Sequence, residues 1–82
     1  MRYEGFIHRK GNIAVTIENK EKKQFYCYLY DIIHLNIEFL IENKIPITFN
    51  IDKNHIYGYN IGFPRYLAYN IKIKKTYFNN KK

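Results

Sequence analysis

Residues 24–30 constrain the fold of this chain more than any other segment, because as a β-strand they have two chemically different faces. One face carries the apolar side chains Phe25, Cys27 and Leu29. The other face carries the aromatic side chains Tyr26, Tyr28 and Tyr30. A small domain can bury one such row but rarely both. We therefore expect the cysteine row to lie in the core and the tyrosine row to face solvent.

The length and the cysteine content indicate one small intracellular domain. A chain of 82 residues buries only about two-thirds of its unfolded surface, which favours a shallow functional surface over a deep cleft. Its apolar runs are far shorter than the roughly 20 residues that cross a bilayer, and its start does not resemble a secretory signal. We expect a cytoplasmic protein without membrane contact, with a domain at residues 1–74 and a basic tail at residues 75–82. Cys27, the single cysteine, is interpreted as a small buried hydrophobe.

The charge of the chain favours polyanionic partners. Fourteen Lys and Arg residues against seven Asp and Glu residues give a net charge of +7. Such an excess indicates nucleic acid or, less favourably, an anionic membrane surface. AT-rich codon usage would also raise the lysine and tyrosine totals, but it does not explain why the tyrosines fall on one face of a strand.

Alternation predicts five strands, at residues 3–8, 12–18, 25–30, 45–51 and 67–73. In the second strand Ile13 is expected to point inward, and in the fifth strand Leu67 and Tyr69 are expected to share one face with Ile71. A basic turn at residues 9–11 and a hairpin loop at residues 19–23 separate the first three strands. Residues 31–43 lack strict alternation and predict a short irregular or helical crossover. Asp52 is expected to open a long loop that extends through Pro64.

This order predicts an all-β fold, a small five-stranded closed β-barrel with a short irregular or helical crossover between strands 3 and 4. The oligonucleotide-binding barrel (OB-fold) is a five-stranded example, and its binding face lies on the second and third strands. The tyrosine row falls on the third predicted strand. Because flat aromatic rings on a basic sheet stack with unpaired bases, single-stranded RNA or DNA is the first expected partner.

Four segments resemble the cold-shock domain, a nucleic-acid-binding form of that barrel. Residues 25–29 resemble its second ribonucleoprotein motif, V-F-V-H-F, and residues 10–15 resemble its first motif, K-G-F-G-F-I. Residues 44–51 resemble its fourth strand, and residues 68–71 resemble its closing A-x-N-V. The resemblance implies that the chain binds single strands by stacking, as an RNA chaperone or regulator. It departs from the family where Asn12 and Ala14 replace two base-stacking aromatic residues.

The candidate nucleic-acid-binding residues combine strand phase, charge and this resemblance. They are Phe6, His8, Arg9, Lys10, Tyr26, Tyr28, Tyr30, Phe39 and Arg65. The tyrosines and Phe6 would stack bases, and the basic residues would contact the backbone. The resemblance implies that Phe39 is an outlying stacking residue, and Arg65 is the strongest base-contact candidate in the last loop.

The sequence contains no pattern typical of an enzyme or of a cofactor or metal site. It has no serine, and the predicted burial of Cys27 makes it a poor nucleophile. Neither His34 nor His55 has a neighbouring Cys or carboxylate at metal-ligand spacing. The phosphate-binding pattern of glycine-rich loops is absent. We therefore expect no catalysis, no cofactor and no metal.

Two other functions fit the same surface. Bacterial translation initiation factor one shares the barrel and binds the ribosome, and residues 4–7 and 15–19 resemble it loosely. The aromatic face could instead be a protein–protein interface, including that of a homodimer, because tyrosine is enriched at interfaces. The missing aromatic side chains at Asn12 and Ala14 favour this last alternative.

Overall fold

The computed structural model describes residues 2–57 and 65–74. Its strands are β1 (Tyr3–Lys10), β2 (Ala14–Glu18), β3 (Gln24–Tyr28), β4 (Ile47–Tyr57) and β5 (Arg65–Ile73). A 3-10 helix (Leu29–Ile32) and a short α-helix, α1 (Ile37–Glu42), connect β3 to β4. Within these ranges, neither helix is long and apolar enough to cross a bilayer. The predicted tail at residues 75–82 and most of the predicted loop, residues 58–64, lie outside the described residues.

The five strands form a closed barrel in the order β1-β2-β3-β5-β4. Strand β1 pairs with both β2 and β4, which closes the sheet. All neighbours are antiparallel except β3 and β5, which are parallel. The predicted five-stranded closed barrel and its helical crossover between the third and fourth strands are confirmed. The architecture is that of a small OB-like barrel.

The core consists of the inward rows of the strands and of the crossover. The rings of Phe25 and Phe49 meet edge to face with centroids 5.1 Å apart, and Tyr3 packs 6.0 Å from Phe25. Around these rings lie fully buried aliphatic side chains, Ile7, Val15, Ile17, Ile32, Leu40, Ile45 and Ile47. Each such burial stabilises the fold by about 1.5–3 kcal/mol. Cys27 belongs to this core, as predicted.

The turn between β1 and β2 differs from the prediction in two ways. Arg9 and Lys10 were predicted to lie in the turn, but they belong to β1. The pairing register shifts between Ile7 and Arg9, which leaves His8 unpaired in a bulge. Ile13 was expected to point inward, but it lies in the turn and is 70% exposed. The hydrogen bond from Gly11 N to Ala14 O, 2.9 Å, closes the turn around it.

Strand β4 is longer than predicted. Asp52 was expected to begin a loop, yet the strand continues to Tyr57. A large register shift lies between Asp52 and Ile56, where the Asp52 side chain accepts a hydrogen bond from Asn54 N at 2.9 Å. The turn-forming residues that predicted a loop therefore form a bulge within a paired strand.

The predicted phase of β5 is wrong for Leu67 and Tyr69. Ala68 and Ile71 point into the core instead, and Tyr69 is exposed. The alternation breaks at Asn70, whose φ of 56° lies in the left-handed region that asparagine tolerates. Arg2 holds this site by donating hydrogen bonds from Nη2 to Asn70 O at 2.7 Å and to Thr48 O at 2.9 Å.

Candidate nucleic-acid interface

A row of three tyrosine rings runs along β3 and past its end. The rings of Tyr26 and Tyr28 meet at right angles with centroids 5.6 Å apart. The rings of Tyr28 and Tyr30 stack, with centroids 5.7 Å apart and planes inclined by 23°. Tyr30 was predicted to lie in the strand, but it lies in the 3-10 helix. Its ring nevertheless extends the row and is 70% exposed. We call these three residues the tyrosine row.

Tyr26 was predicted to face solvent, but the structure buries it, with an exposed fraction of only 7%. The parity of the strand is nevertheless correct, because Cys27 is in the core and Tyr26 is outside that cluster. Tyr26 sits between Thr16 on β2 and Leu67 on β5. Burial and a hydrogen bond with the Tyr28 side chain raise the pKa of Tyr26 to about 12. The hydroxyl of Tyr26 is thus protonated at neutral pH, and its ring is buried beside Tyr28.

A hollow of about 370 Å³ lies beside the tyrosine row. It is lined by the turn at residues 11–13, by β2 and by Tyr26, Tyr28 and Arg65. Ala14 is directly opposite Tyr28 in the β2–β3 register, and Thr16 is opposite Tyr26. Because the side chain of Ala14 is only a methyl group, space remains beside Tyr28. We call this space the tyrosine hollow.

Arg65 is the sequence-predicted cation that the fold brings to the tyrosine hollow. It begins β5, and its Nε donates a hydrogen bond to Gln24 Oε1 at 3.0 Å. Gln24 in turn donates from Nε2 to Glu18 Oε2 at 3.3 Å. The position of Arg65 beside the row was expected, whereas its attachment to Gln24 was not.

The three candidates at the end of β1 separate in the structure. Arg9 is exposed and pairs with Thr16 on β2, and Thr16 in turn pairs with Tyr26 on β3. Arg9 is therefore separated from Tyr26 by one strand. His8, in the bulge, is exposed as well. Lys10 instead turns to α1, where its Nζ is 2.7 Å from Glu38 Oε2. The hydrogen bond from Lys10 lowers the pKa of the Glu38 carboxyl.

Phe6 and Phe39 have no ring contact with the tyrosine row among the described residues. Phe6 lines a second hollow, between β1 and the residue 19–21 turn, where Lys44 Nζ is 6.0 Å from its ring centroid. Phe39 is half exposed on α1, next to Glu38. The structure therefore groups Tyr26, Tyr28 and Arg65 but not these two phenylalanines.

Sequence reasoning missed two exposed apolar residues in the segments that flank the row. Ile13 and Ile33 are large apolar side chains that are at least 70% exposed. The hydrogen bond from Leu29 N to Ile13 O, 2.7 Å, joins Ile13 to the start of the 3-10 helix, and Ile33 directly follows that helix. An apolar residue directly after a Gly-Asn turn could have identified Ile13 as a turn residue, but alternation was given more weight.

Two titratable groups near the row have shifted pKa values, Cys27 behind it and Asp52 beside it. Burial, with a smaller contribution from Asp31, raises the pKa of the Cys27 thiol to about 12, which keeps it protonated and unreactive. Asp52 accepts from Asn54 N and His55 Nδ1, and both contacts lower the pKa of its carboxyl. Over residues 2–57 and 65–74, no three His, Cys, Asp or Glu side chains group as metal ligands would.

Comparisons with known proteins do not add a relative to this picture. No protein-family model, no curated protein and no solved structure matches the chain. The functional interpretation therefore depends on the geometry of the tyrosine row, the tyrosine hollow and Arg65.

Proposed function

We propose that this protein binds single-stranded RNA or DNA on the face formed by the tyrosine row and the tyrosine hollow. The stacked pair of Tyr28 and Tyr30 at the barrel surface carries the proposal. It lies beside a cation, Arg65, in a chain with a net charge of +7. Passive binding of exposed bases competes with base pairing, which is the activity of an RNA chaperone or a regulator of transcript structure.

The stacking surface is smaller than the sequence predicted, and it is centred differently. Tyr30 and the half-buried Tyr28 are available to bases, whereas Tyr26 supports Tyr28 from the side. Each base stacked on an aromatic side chain contributes about 1–3 kcal/mol to binding. Two such bases, with phosphate contacts, would give measurable affinity at low salt.

The cations near the row define where the phosphates would lie. Arg9 lies on the β1 side of the row, and Arg65 lies on its β5 side. Asp52, on the β4 side, is in register with Leu67, the neighbour of Tyr26. Because a carboxylate repels phosphate, we expect the backbone of the nucleic acid to follow the Arg9 side. Contacts of this kind make affinity fall steeply with salt.

The barrel order and the position of residues 25–28 on β3 also support the further proposal that this chain is a divergent cold-shock domain. Its Asn12 and Ala14 line a hollow where that family presents rings. The proposed binding mode is accordingly a short stack with one recessed position beside it.

The proposal is tested by fluorescence anisotropy with labelled eight-residue oligo-dT and oligo-U and with a duplex of the same length. We expect saturable binding of the single strands at low salt and a linear fall of log affinity with log salt concentration. The duplex should bind more weakly, because its bases are not available for stacking. No saturable binding by protein that circular dichroism shows to be folded would contradict the proposal.

A second candidate function is protein–protein interaction through the end of the tyrosine row at Tyr30. Ile13, Tyr30 and Ile33 are all large and at least 70% exposed. Ile13 is joined by a backbone hydrogen bond to Leu29, the neighbour of Tyr30, and contiguous exposed apolar surface marks interaction sites. Sedimentation equilibrium would separate the two functions. A dimer that Ile33→Ser and Tyr30→Ala dissociate, without any binding of oligonucleotides, would favour this candidate.

A further inference from the structure

Arg65 is fixed in orientation before any ligand binds. Its Nε donates to Gln24 Oε1 at 3.0 Å, and Gln24 is partly buried in β3. The amide of Gln24 has only one orientation that satisfies its neighbours, because its Nε2 donates to Glu18 Oε2 at 3.3 Å. The carbonyl oxygen of Gln24 must therefore face Arg65. These two hydrogen bonds hold the guanidinium of Arg65 through its Nε.

The two terminal nitrogens of the same guanidinium have no partner among residues 2–57 and 65–74. No acidic group lies within ion-pair distance of Arg65 among the described residues, and its Nη1 and Nη2 donate no hydrogen bond to any of them. The side chain lines the tyrosine hollow together with Tyr28. A guanidinium bound through Nε presents its two terminal nitrogens as a fork of parallel donors. Such a fork matches a ligand with two adjacent acceptors.

We infer that the tyrosine hollow is a guanine site, in which the base lies against Tyr28 and the Nη1 and Nη2 groups of Arg65 donate to its O6 and N7. This inference rests on the proposed function and specifies its base preference. Arginine donating to guanine O6 and N7 is the commonest specific arginine–base contact. Ala14 lines the hollow and is opposite Tyr28, and its methyl side chain leaves room for a two-ring base there.

The other bases present poorer partners to this fork. Adenine has an amino donor where guanine has O6, so one of the two donors of Arg65 would meet another donor. Thymine and uracil place an N–H group between their carbonyl groups. Cytosine has adjacent acceptors at O2 and N3 but only one ring to stack on Tyr28. A phosphate would also fit the fork, and it would give affinity without base preference.

The test uses eight-residue oligo-dT strands that carry one substitution at the centre: guanine, 7-deazaguanine, adenine or cytosine. The 7-deaza base lacks only the N7 acceptor and otherwise stacks like guanine. For the unmodified protein we expect the guanine strand to bind about 5- to 150-fold more tightly than the adenine strand. The 7-deazaguanine strand should lose most of this advantage.

The variant Arg65→Lys keeps the positive charge but lacks the fork. We expect it to bind all the strands with similar affinity. The comparison variant Arg9→Lys changes a proposed backbone contact, so it should shift the affinity for all strands alike and keep the guanine preference. Matched thermal unfolding of both variants shows that each is folded. A guanine preference that survives in Arg65→Lys would overturn the inference, as would a preference for cytosine or a uniform loss across all strands in Arg65→Ala. Binding without base preference refutes the inference alone, whereas no binding of any strand refutes the proposed function with it.

Discussion

The ring of Tyr30 stacks on the ring of Tyr28 at a centroid distance of 5.7 Å, although the two residues belong to different elements. Tyr28 ends β3, and Tyr30 lies in the 3-10 helix that follows. The stack therefore continues an aromatic surface beyond the edge of the sheet. Its outer face, on Tyr30, is the most accessible position at which an unpaired base could stack.

Tyr30→Ala should weaken oligonucleotide binding with little change in stability. Tyr30 is largely exposed, so its removal costs little packing, but one stacking position is lost. We expect the affinity for oligo-dT to fall by about 1–3 kcal/mol. Anisotropy titrations measure this fall, and urea denaturation measures the free energy of unfolding.

Tyr69→Ala is the matched control for this substitution. Tyr69 is a second exposed tyrosine, on β5, and it has no ring contact with the tyrosine row among the described residues. Its replacement should leave the affinity for oligo-dT unchanged. Equal losses in the two variants would mean that the stack is not the binding surface.

Arg9→Ala should weaken binding more than Lys10→Ala does. The ammonium of Lys10 is 2.7 Å from the Glu38 carboxylate, whereas Arg9 has no ion pair with a described residue. Arg9→Ala should reduce the slope of log affinity against log salt concentration by about 1. Glu38→Gln, which releases Lys10, should raise affinity. A larger loss in Lys10→Ala than in Arg9→Ala would contradict this assignment.

The free energy of unfolding should fall as pH rises from about 9 to about 12. Burial raises the pKa of Cys27 from 9.0 and that of Tyr26 from 10.0, in both cases to about 12. Above pH 9 the unfolded chain loses these protons while the native chain retains them, so deprotonation favours unfolding. Below pH 9 this contribution to stability is fully present.

Cys27→Ala isolates the thiol in this prediction. The variant loses a core side chain and should be less stable at all pH values, but its stability should fall less steeply between pH 9 and 12. Urea denaturation across this pH range measures the slope. If the slope equals that of the unmodified protein, the buried thiol does not couple folding to pH.

Gly5→Ala should destabilise the barrel by about 1–3 kcal/mol. A Cβ at Gly5 would lie 2.7 Å from the carbonyl oxygen of Glu18 and 3.2 Å from Ile17 Cγ2. Because Glu18 belongs to the β1–β2 ladder, its backbone cannot move without disturbing that pairing. Gly11→Ala serves for comparison: its Cβ would lie 3.0 Å from Ala14 O in a turn, and it should cost less. An unchanged denaturation midpoint for Gly5→Ala would contradict the close approach.

The sequence predicted the barrel because alternation and loop positions depend on local chemistry. It predicted the burial of Cys27 for the same reason. It failed where a bulge changes the phase of a strand, as at Asn70, since one extra residue reverses the faces beyond it. The end of β4 was missed because turn-forming residues such as Asp52 also occur in bulges.

The site was predicted in part. Strand parity placed Tyr26 and Tyr28 on the outer side, but parity does not report how closely neighbouring strands cover a residue, and Tyr26 is covered. The stack of Tyr30 on Tyr28 depends on the 3-10 helix, which alternation does not predict. The hydrogen bond between Arg65 and Gln24 joins residues that are 41 positions apart, which no local pattern indicates.

The most direct test of single-strand binding by the tyrosine row is an NMR titration of the ¹⁵N-labelled protein with unlabelled eight-residue oligo-dT. Changes in the amide chemical shifts identify the residues near a bound ligand, even when binding is weak. We predict that the largest changes occur at residues 11–16, 28–30 and 65, around the tyrosine hollow and the outer end of the row. Changes confined to Tyr69 and its neighbours, or no changes at all in a folded protein, would contradict the account.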